Sequence, residues 1–133
     1  EEPFSGFDSH FSGILSHFLG IPYLWGGRTL WGADCSGLVQ WLYSLCNLPI
    51  PRDSKDQAQV GMAISLAQAQ MGDLLFFSEN EKRTVTHVGF YLGNLKMLHL
   101  SEKRGISTIE VINPSGHIPD LPHYVFLKAC RYV

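Results

Sequence analysis

Apolar positions change period part-way along the chain. From Phe11 they recur at Ile14, Leu15, Phe18 and Leu19, the spacing of one helix face, with Asp8 or Ser9 as caps and Gly20 as a stop. This predicts a helix over 8–19, with His10 and His17 on its surface or rim. Residues 20–33 hold four glycines and Pro22, so a loop is expected. A second helix is predicted from Asp34, as N-cap, to about Leu45, burying Leu38, Val39, Trp41, Leu42 and Leu45. It ends near Asn47, ahead of Pro49 and Pro51. Ser54 reads as the N-cap of a short third helix through Gln57 and Val60, which Gly61 ends. After residue 73 the period changes. Stretches 73–77, 85–92, 96–101, 106–112 and 124–133 are short, rich in β-branched and aromatic residues, and separated by turn residues. Helices first and strands afterwards predicts an α+β domain: N-terminal helices packed on one face of a mostly antiparallel sheet of five to six strands.

Composition narrows this picture. A chain of 133 residues holds one domain with a real core, so 1–133 is read as a single domain. It starts at Glu1-Glu2-Pro3 with neither Met nor a signal peptide, which is read as a mature or excised form with upstream domains. A net charge of -2 without a basic run argues against nucleic acid as a partner. No apolar run approaches the roughly 20 residues of a membrane span. Cys35, Cys46 and Cys130 are odd in number and lack CxxC spacing, so they form neither a disulfide framework nor a zinc finger. Cys46 and Cys130 read as small core residues, with a 46–130 disulfide as the alternative.

Candidate chemistry concentrates around Cys35. It falls in the first turn of the second helix, where unpaired backbone N–H groups and the helix dipole favour thiolate. The plain alternative is a capped helix with a buried cysteine. A cysteine nucleophile needs a base and a group that orients the base. His87 and His99 lie in consecutive predicted strands and can supply both. Side chains on one sheet face share parity, and 87 and 99 have an even sum. A regular two-residue hairpin at Gly93-Asn94 gives an odd sum and would send the rings to opposite faces. The pair therefore requires either a three- or five-residue loop, which is the expectation, or a bulge, with Gly93 or Asn94 at positive φ.

Tyr23-x-Trp25-Gly26-Gly27, Asp34-Cys35-Ser36-Gly37, Gly72-Asp73-Leu74, His87-Val88-Gly89-x-Tyr91 and Leu98-His99 together resemble the NlpC-type bacterial cell-wall peptidases, a branch of the papain-like cysteine peptidases. The ordered set runs from about Gly20 to Ser101. The resemblance implies a papain-like fold and cleavage of peptidoglycan stem peptides after γ-D-glutamate, most often at the bond to diaminopimelate. It implies Cys35 as nucleophile, His87 as base and a neutral His99 as orienting residue. No cofactor or metal is called for, and the compartment implied is the bacterial cell envelope, periplasmic or secreted. In members that act on peptides with a free N-terminal L-alanine, the places of Tyr23, Asp34, Ser36, Asp53 and Ser54 contact that end. An ammonium needs such acceptors and at least one carboxylate. Plainer roles are loop packing for Tyr23, capping for Asp34 and Ser54, and pairing with Arg52 for Asp53.

Trp25 and Trp31 read either as cleft walls or as core. Asp73 is read as a turn residue, His117 and His123 as solvated, and Lys82-Arg83 and Lys103-Arg104 as loop-tip charges. Three other functions compete: an N-acetylmuramoyl-L-alanine amidase, a zinc site built from Cys35, His87 and His99, and a non-catalytic wall-binding module.

Overall fold

The computed structural model describes residues 13–29, 31–79 and 83–132. Asp8, Ser9, His10 and Phe11 of the first predicted helix, and Lys82, lie outside them. Within the described part, residues 13–15 are helical and a 3-10 turn follows at Ser16–Phe18. Gly20 stops it at φ 77°, where a side chain would be strained. His17 is exposed, as expected.

Helix α1 spans Cys35–Ser44. It starts where its sequence says, because Asp34 stays extended and its carboxylate accepts from the Gly37 N–H at 2.8 Å. Leu38, Val39, Leu42 and Tyr43 form its buried stripe. Leu45 corrects the expectation: it lies off that stripe and is 49% exposed. Trp41 is only half-buried and meets Phe18 edge-on at 4.7 Å. Tyr43, whose hydroxyl donates to the Gly72 carbonyl, takes the buried place instead.

Helix α2 spans Ser54–Val60, and its N-cap position is Asp53, not Ser54. The Asp53 side chain makes no cap bond there. The helix is held from its buried side, where Gln57 Nε2 donates to the Pro51 carbonyl at 2.8 Å and the Ser36 carbonyl at 3.2 Å.

The strands are β1 (Arg28–Thr29), β2 (Gly32–Ala33), β3 (Met62–Ile64), β4 (Leu74–Glu79), β5 (His87–Gly93), β6 (Lys96–Leu100), β7 (Ser107–Val111) and β8 (Tyr124–Arg131). The first two pair with each other inside the stretch expected as loop. The remaining six form one antiparallel sheet in the order β3-β8-β4-β5-β6-β7. Five of these strands follow the sequence pattern. The edge strand β3 does not: its three residues show no alternation and depend on pairing with β8.

Both faces of the sheet are covered. On one, Phe76, Val88, Phe90, Leu98 and Leu100 pack against α1. On the other, Leu75, Phe77, Tyr91 and Met97 pack with Ile112, Ile118 and Leu121 from the β7–β8 connection. The central strands therefore read as continuous apolar runs, buried from Leu74 to Ser78 and from His87 to Tyr91. The fold is the papain-like α+β arrangement.

Candidate active site

The start of α1 abuts the first residues of β5. Cys35, half-buried, presents its thiol to the backbone N–H of Val88, the neighbour of His87. Desolvation pushes the thiol pKa up to about 12. The Val88 N–H opposes this rise, the Asp34 charge adds to it, and the Ser36 N–H and Arg52 oppose it. Arg52 therefore has a clear task. It meets the Asp34 carboxylate through Nη1 at 3.0 Å and Nη2 at 3.1 Å, and donates to Ser36 Oγ at 2.9 Å. The carboxylate also accepts from the Gly26 and Gly37 N–H groups. Much of the negative charge beside the Cys35 thiol is thus neutralised locally. The cation held by Asp34 is the chain's own arginine.

The histidine side is assembled across strands. His87 Nε2 and His99 Nδ1 are 2.7 Å apart, and both side chains are buried. The even parity holds through a bulge and not through a longer loop. Gly93 pairs with Lys96 around the two-residue turn Asn94-Leu95, while Tyr91 pairs with Met97 and Phe90 with Leu98. Leu92 is the extra residue that turns an odd index sum into an even one. Gly93, Asn94 and Leu95 have φ of 88°, 54° and 58°, which suits a tight turn with a bulge beside it. His87 is stacked on Tyr124 at 4.3 Å and 15°, which fixes its ring plane. Burial holds its pKa well below the usual histidine value, and the nearby His99 and His123 add to that shift.

Behind His99 stands a group the motif pattern did not reveal. Glu110 on β7 places Oε2 3.1 Å from His99 Nε2. Arg104, expected as a loop-tip charge, donates to both Glu110 oxygens at 2.8 and 2.9 Å, and Thr108 adds a bond of 2.8 Å. Burial works to raise the Glu110 carboxyl, but these donors outweigh it and hold it well below the usual carboxylate range. The sequence carried one usable signal, an acidic residue among the apolar positions of a predicted strand.

A cleft of about 900 Å³ joins these parts. Cys35 and His87 line it together with Tyr23, Trp25, Asp34, Ser36, Asp53 and Ser54, so the whole expected substrate-contact set shares one cavity. Trp25 is 84% exposed at its rim, and Trp31, at 90%, faces solvent; neither is core. Asp73 is a turn residue as read, accepting from the Gln70 N–H and bound by Arg131 at 2.8 Å. His117 is exposed, whereas His123 packs its ring on Tyr124 at 4.2 Å and is half-buried, contrary to expectation. None of the three cysteines is in a disulfide. The zinc reading has no geometric support: the facing nitrogens of His87 and His99 bond each other, and among the described residues no group of three His, Cys, Asp or Glu side chains is disposed around a common point. Also among the described residues, no helix is long and apolar enough to cross a membrane.

A helix-start cysteine, a strand histidine and a second histidine behind it, on this sheet, define the papain-like class of cysteine hydrolase folds. The NlpC/P60 family model matches residues 20–119, and the chain belongs to that family. It is 48% identical over 95 residues to the γ-D-glutamyl-L-lysine dipeptidyl-peptidase of Bacillus subtilis (strain 168), covering 71% of this chain and 31% of the relative. It is 39% identical over 105 residues to the protein of the same description from Bacillus cereus, covering 77% and 31%. Among solved structures, an NlpC/P60 family protein from Bacillus cereus superposes with a TM-score of 0.79 at 32% identity, over 95% of this chain and 41% of that one. The chain thus spans less than half the length of these relatives.

Proposed function

We propose that this chain is a cysteine endopeptidase that hydrolyses peptidoglycan stem peptides after γ-D-glutamate. One observation carries the reading: a half-buried thiol at a helix start shares a cleft with a histidine already oriented by a second one. Cys35 and His87 each favour the neutral form in isolation, but transfer of the thiol proton to His87 creates an ion pair without adding net charge to the cleft. The thiolate attacks the amide carbonyl, and the Cys35 backbone N–H at the helix start binds the oxyanion. His87 then protonates the leaving amine and deprotonates the water that releases the acyl group. His99 holds the His87 ring.

Two relatives named γ-D-glutamyl-L-lysine dipeptidyl-peptidases support a bond after γ-D-glutamate, and diaminopimelate or lysine is the residue proposed to follow it. Peptides with a free N-terminal L-alanine are the proposed preference. Tyr23, Ser36, Asp53 and Ser54 face the same cleft, walled by Trp25. Because Asp34 is engaged by Arg52, the exposed Asp53 is the carboxylate best placed to meet an ammonium, with Asp34 adding charge from behind. Such substrates exist in the cell envelope, the proposed location, once the sugar has been removed.

Mass spectrometry of muropeptide digests tests this. New γ-D-glutamyl C-termini are expected with the native chain and, from Cys35→Ala, at a rate lower by at least about 10³-fold. N-acetylation of the peptide should slow cleavage. Release of lactoyl-linked sugar without stem cleavage would establish an amidase instead. Unchanged biological effect in Cys35→Ala would establish a binding module.

A further inference from the structure

Hydrogen bonding behind Cys35 does not stop at the second histidine. His87, His99 and Glu110 lie on one face of the sheet, each one diagonal step along the next strand. Register sums show why: Phe90 opposes Leu98 and His99 opposes Thr108, so His87 falls two places from opposition to His99, and Glu110 two places from opposition to His99 on the other side. Three side chains from β5, β6 and β7 therefore form a row, with contacts of 2.7 and 3.1 Å.

We infer that Glu110 is a positioning residue for the peptidase site, acting through His99 to select which nitrogen of His87 is basic. The inference rests on the reading of Cys35 and His87 as nucleophile and base. A carboxylate oxygen that already receives Arg104 and Thr108 can only accept, so the third group facing it, His99 Nε2, carries a proton. In neutral His99 the other nitrogen, Nδ1, is then a bare acceptor. His87 Nε2–H must donate to it, which leaves Nδ1 of His87 with the lone pair that takes the thiol proton. Reverse the His99 tautomer and the row inverts. His99 Nδ1–H would donate to His87 Nε2, His87 would carry its proton on Nδ1, and the base would be blocked toward the cleft. Glu110 is suited to prevent this because its own position is fixed. Arg104 grips both oxygens, and the carboxylate is buried on the sheet away from the cleft lining.

A purely structural Glu110–Arg104 pair predicts something different. Its loss would lower stability without altering a tautomer two strands away or the chemical step. The test uses 15N-histidine NMR together with kinetics on γ-D-glutamyl peptides. Native His99 should show the Nε2–H tautomer; an Nδ1–H signature in the native chain overturns the inference without any variant. Glu110→Gln keeps the shape but offers an amide that can donate to His99. It should shift the population toward Nδ1–H and lower kcat about tenfold or more with KM within about threefold, the pattern of a group that matters in the transition state. Glu110→Asp, which restores the charge, should recover part of kcat and the native tautomer. A Glu110→Gln protein with native kcat and native His99 signals overturns the proposal; if Cys35→Ala is inactive in the same assay, the peptidase reading survives that outcome. Activity retained in Cys35→Ala would instead remove the peptidase reading, while the NMR result would still report on Glu110 and His99.

Discussion

The two walls of the cleft are built by opposite strategies. The cysteine wall is local: Asp34, Cys35, Ser36 and Gly37 are consecutive, and one capped helix end places them. Arg52 comes from farther along and serves the same carboxylate. The histidine wall is assembled from β5, β6, β7 and β8, with His87, His99, Glu110 and Tyr124 contributed one from each. A helix start carries its geometry wherever the helix goes. A row across strands exists only if every register is right, and here one register depends on a single bulged leucine. Local construction tolerates error, and cross-strand construction does not.

Insertions separate the walls most sharply. An alanine added between Val88 and Gly89 moves His87 to the other sheet face and should abolish peptidase activity, by at least about 10³-fold, as removal of a triad member does. The same alanine added to the Asn94-Leu95 turn leaves every pair from Tyr91–Met97 inward intact, and kcat should stay within about threefold, since loop length costs little. Equal losses from both insertions would show that the bulge does not set the register.

On the cysteine wall, Arg52→Ala should leave the fold but expose Cys35 to the full Asp34 charge. Iodoacetamide alkylation at neutral pH should slow by about tenfold, the equivalent of one pKa unit. Asp34→Asn in the same background should restore part of the rate. An unchanged rate in Arg52→Ala would mean that the backbone N–H groups alone decide the thiol's reactivity.

A smaller effect distinguishes the walls by pH. His87 is held below its ordinary 6.5, so the unfolded chain binds its proton first as acid is added; stability is full above that value and declines as pH falls through it. Glu110 is depressed too, so its contribution is present above its ordinary 4.5 and is lost as pH falls further. Both groups belong to the histidine wall and act with the same sign. Thermal melting should show Tm falling below about pH 6.5, with a weaker slope in His87→Phe. An identical slope in that variant would place the acid sensitivity elsewhere.

The helix cap, the Leu38, Val39 and Leu42 part of the α1 stripe, five of six strands of the main sheet and the order Cys35, His87, His99 were legible because each is encoded over a few neighbouring residues. Even the need for a parity-correcting device between the histidines could be deduced. Its form could not, since a longer loop and a bulge satisfy the same arithmetic and the choice depends on how β5 and β6 pack on both faces. Four features needed the folded chain. Arg52 turns back to Asp34 because the start of α1 lies beside the approach to α2. Arg104 leaves its loop for a buried carboxylate. The edge strand β3 exists because β8 offers it a partner, and Glu110 becomes part of the site because β7 pairs with β6 in one register.

Residue identity and local spacing therefore determined which reactive side chains this chain carries and in what order. Tertiary structure decided how the reacting groups are tuned. Proton position and charge compensation depend on distances between residues far apart in sequence, and those distances are fixed only when strands pair and the core closes.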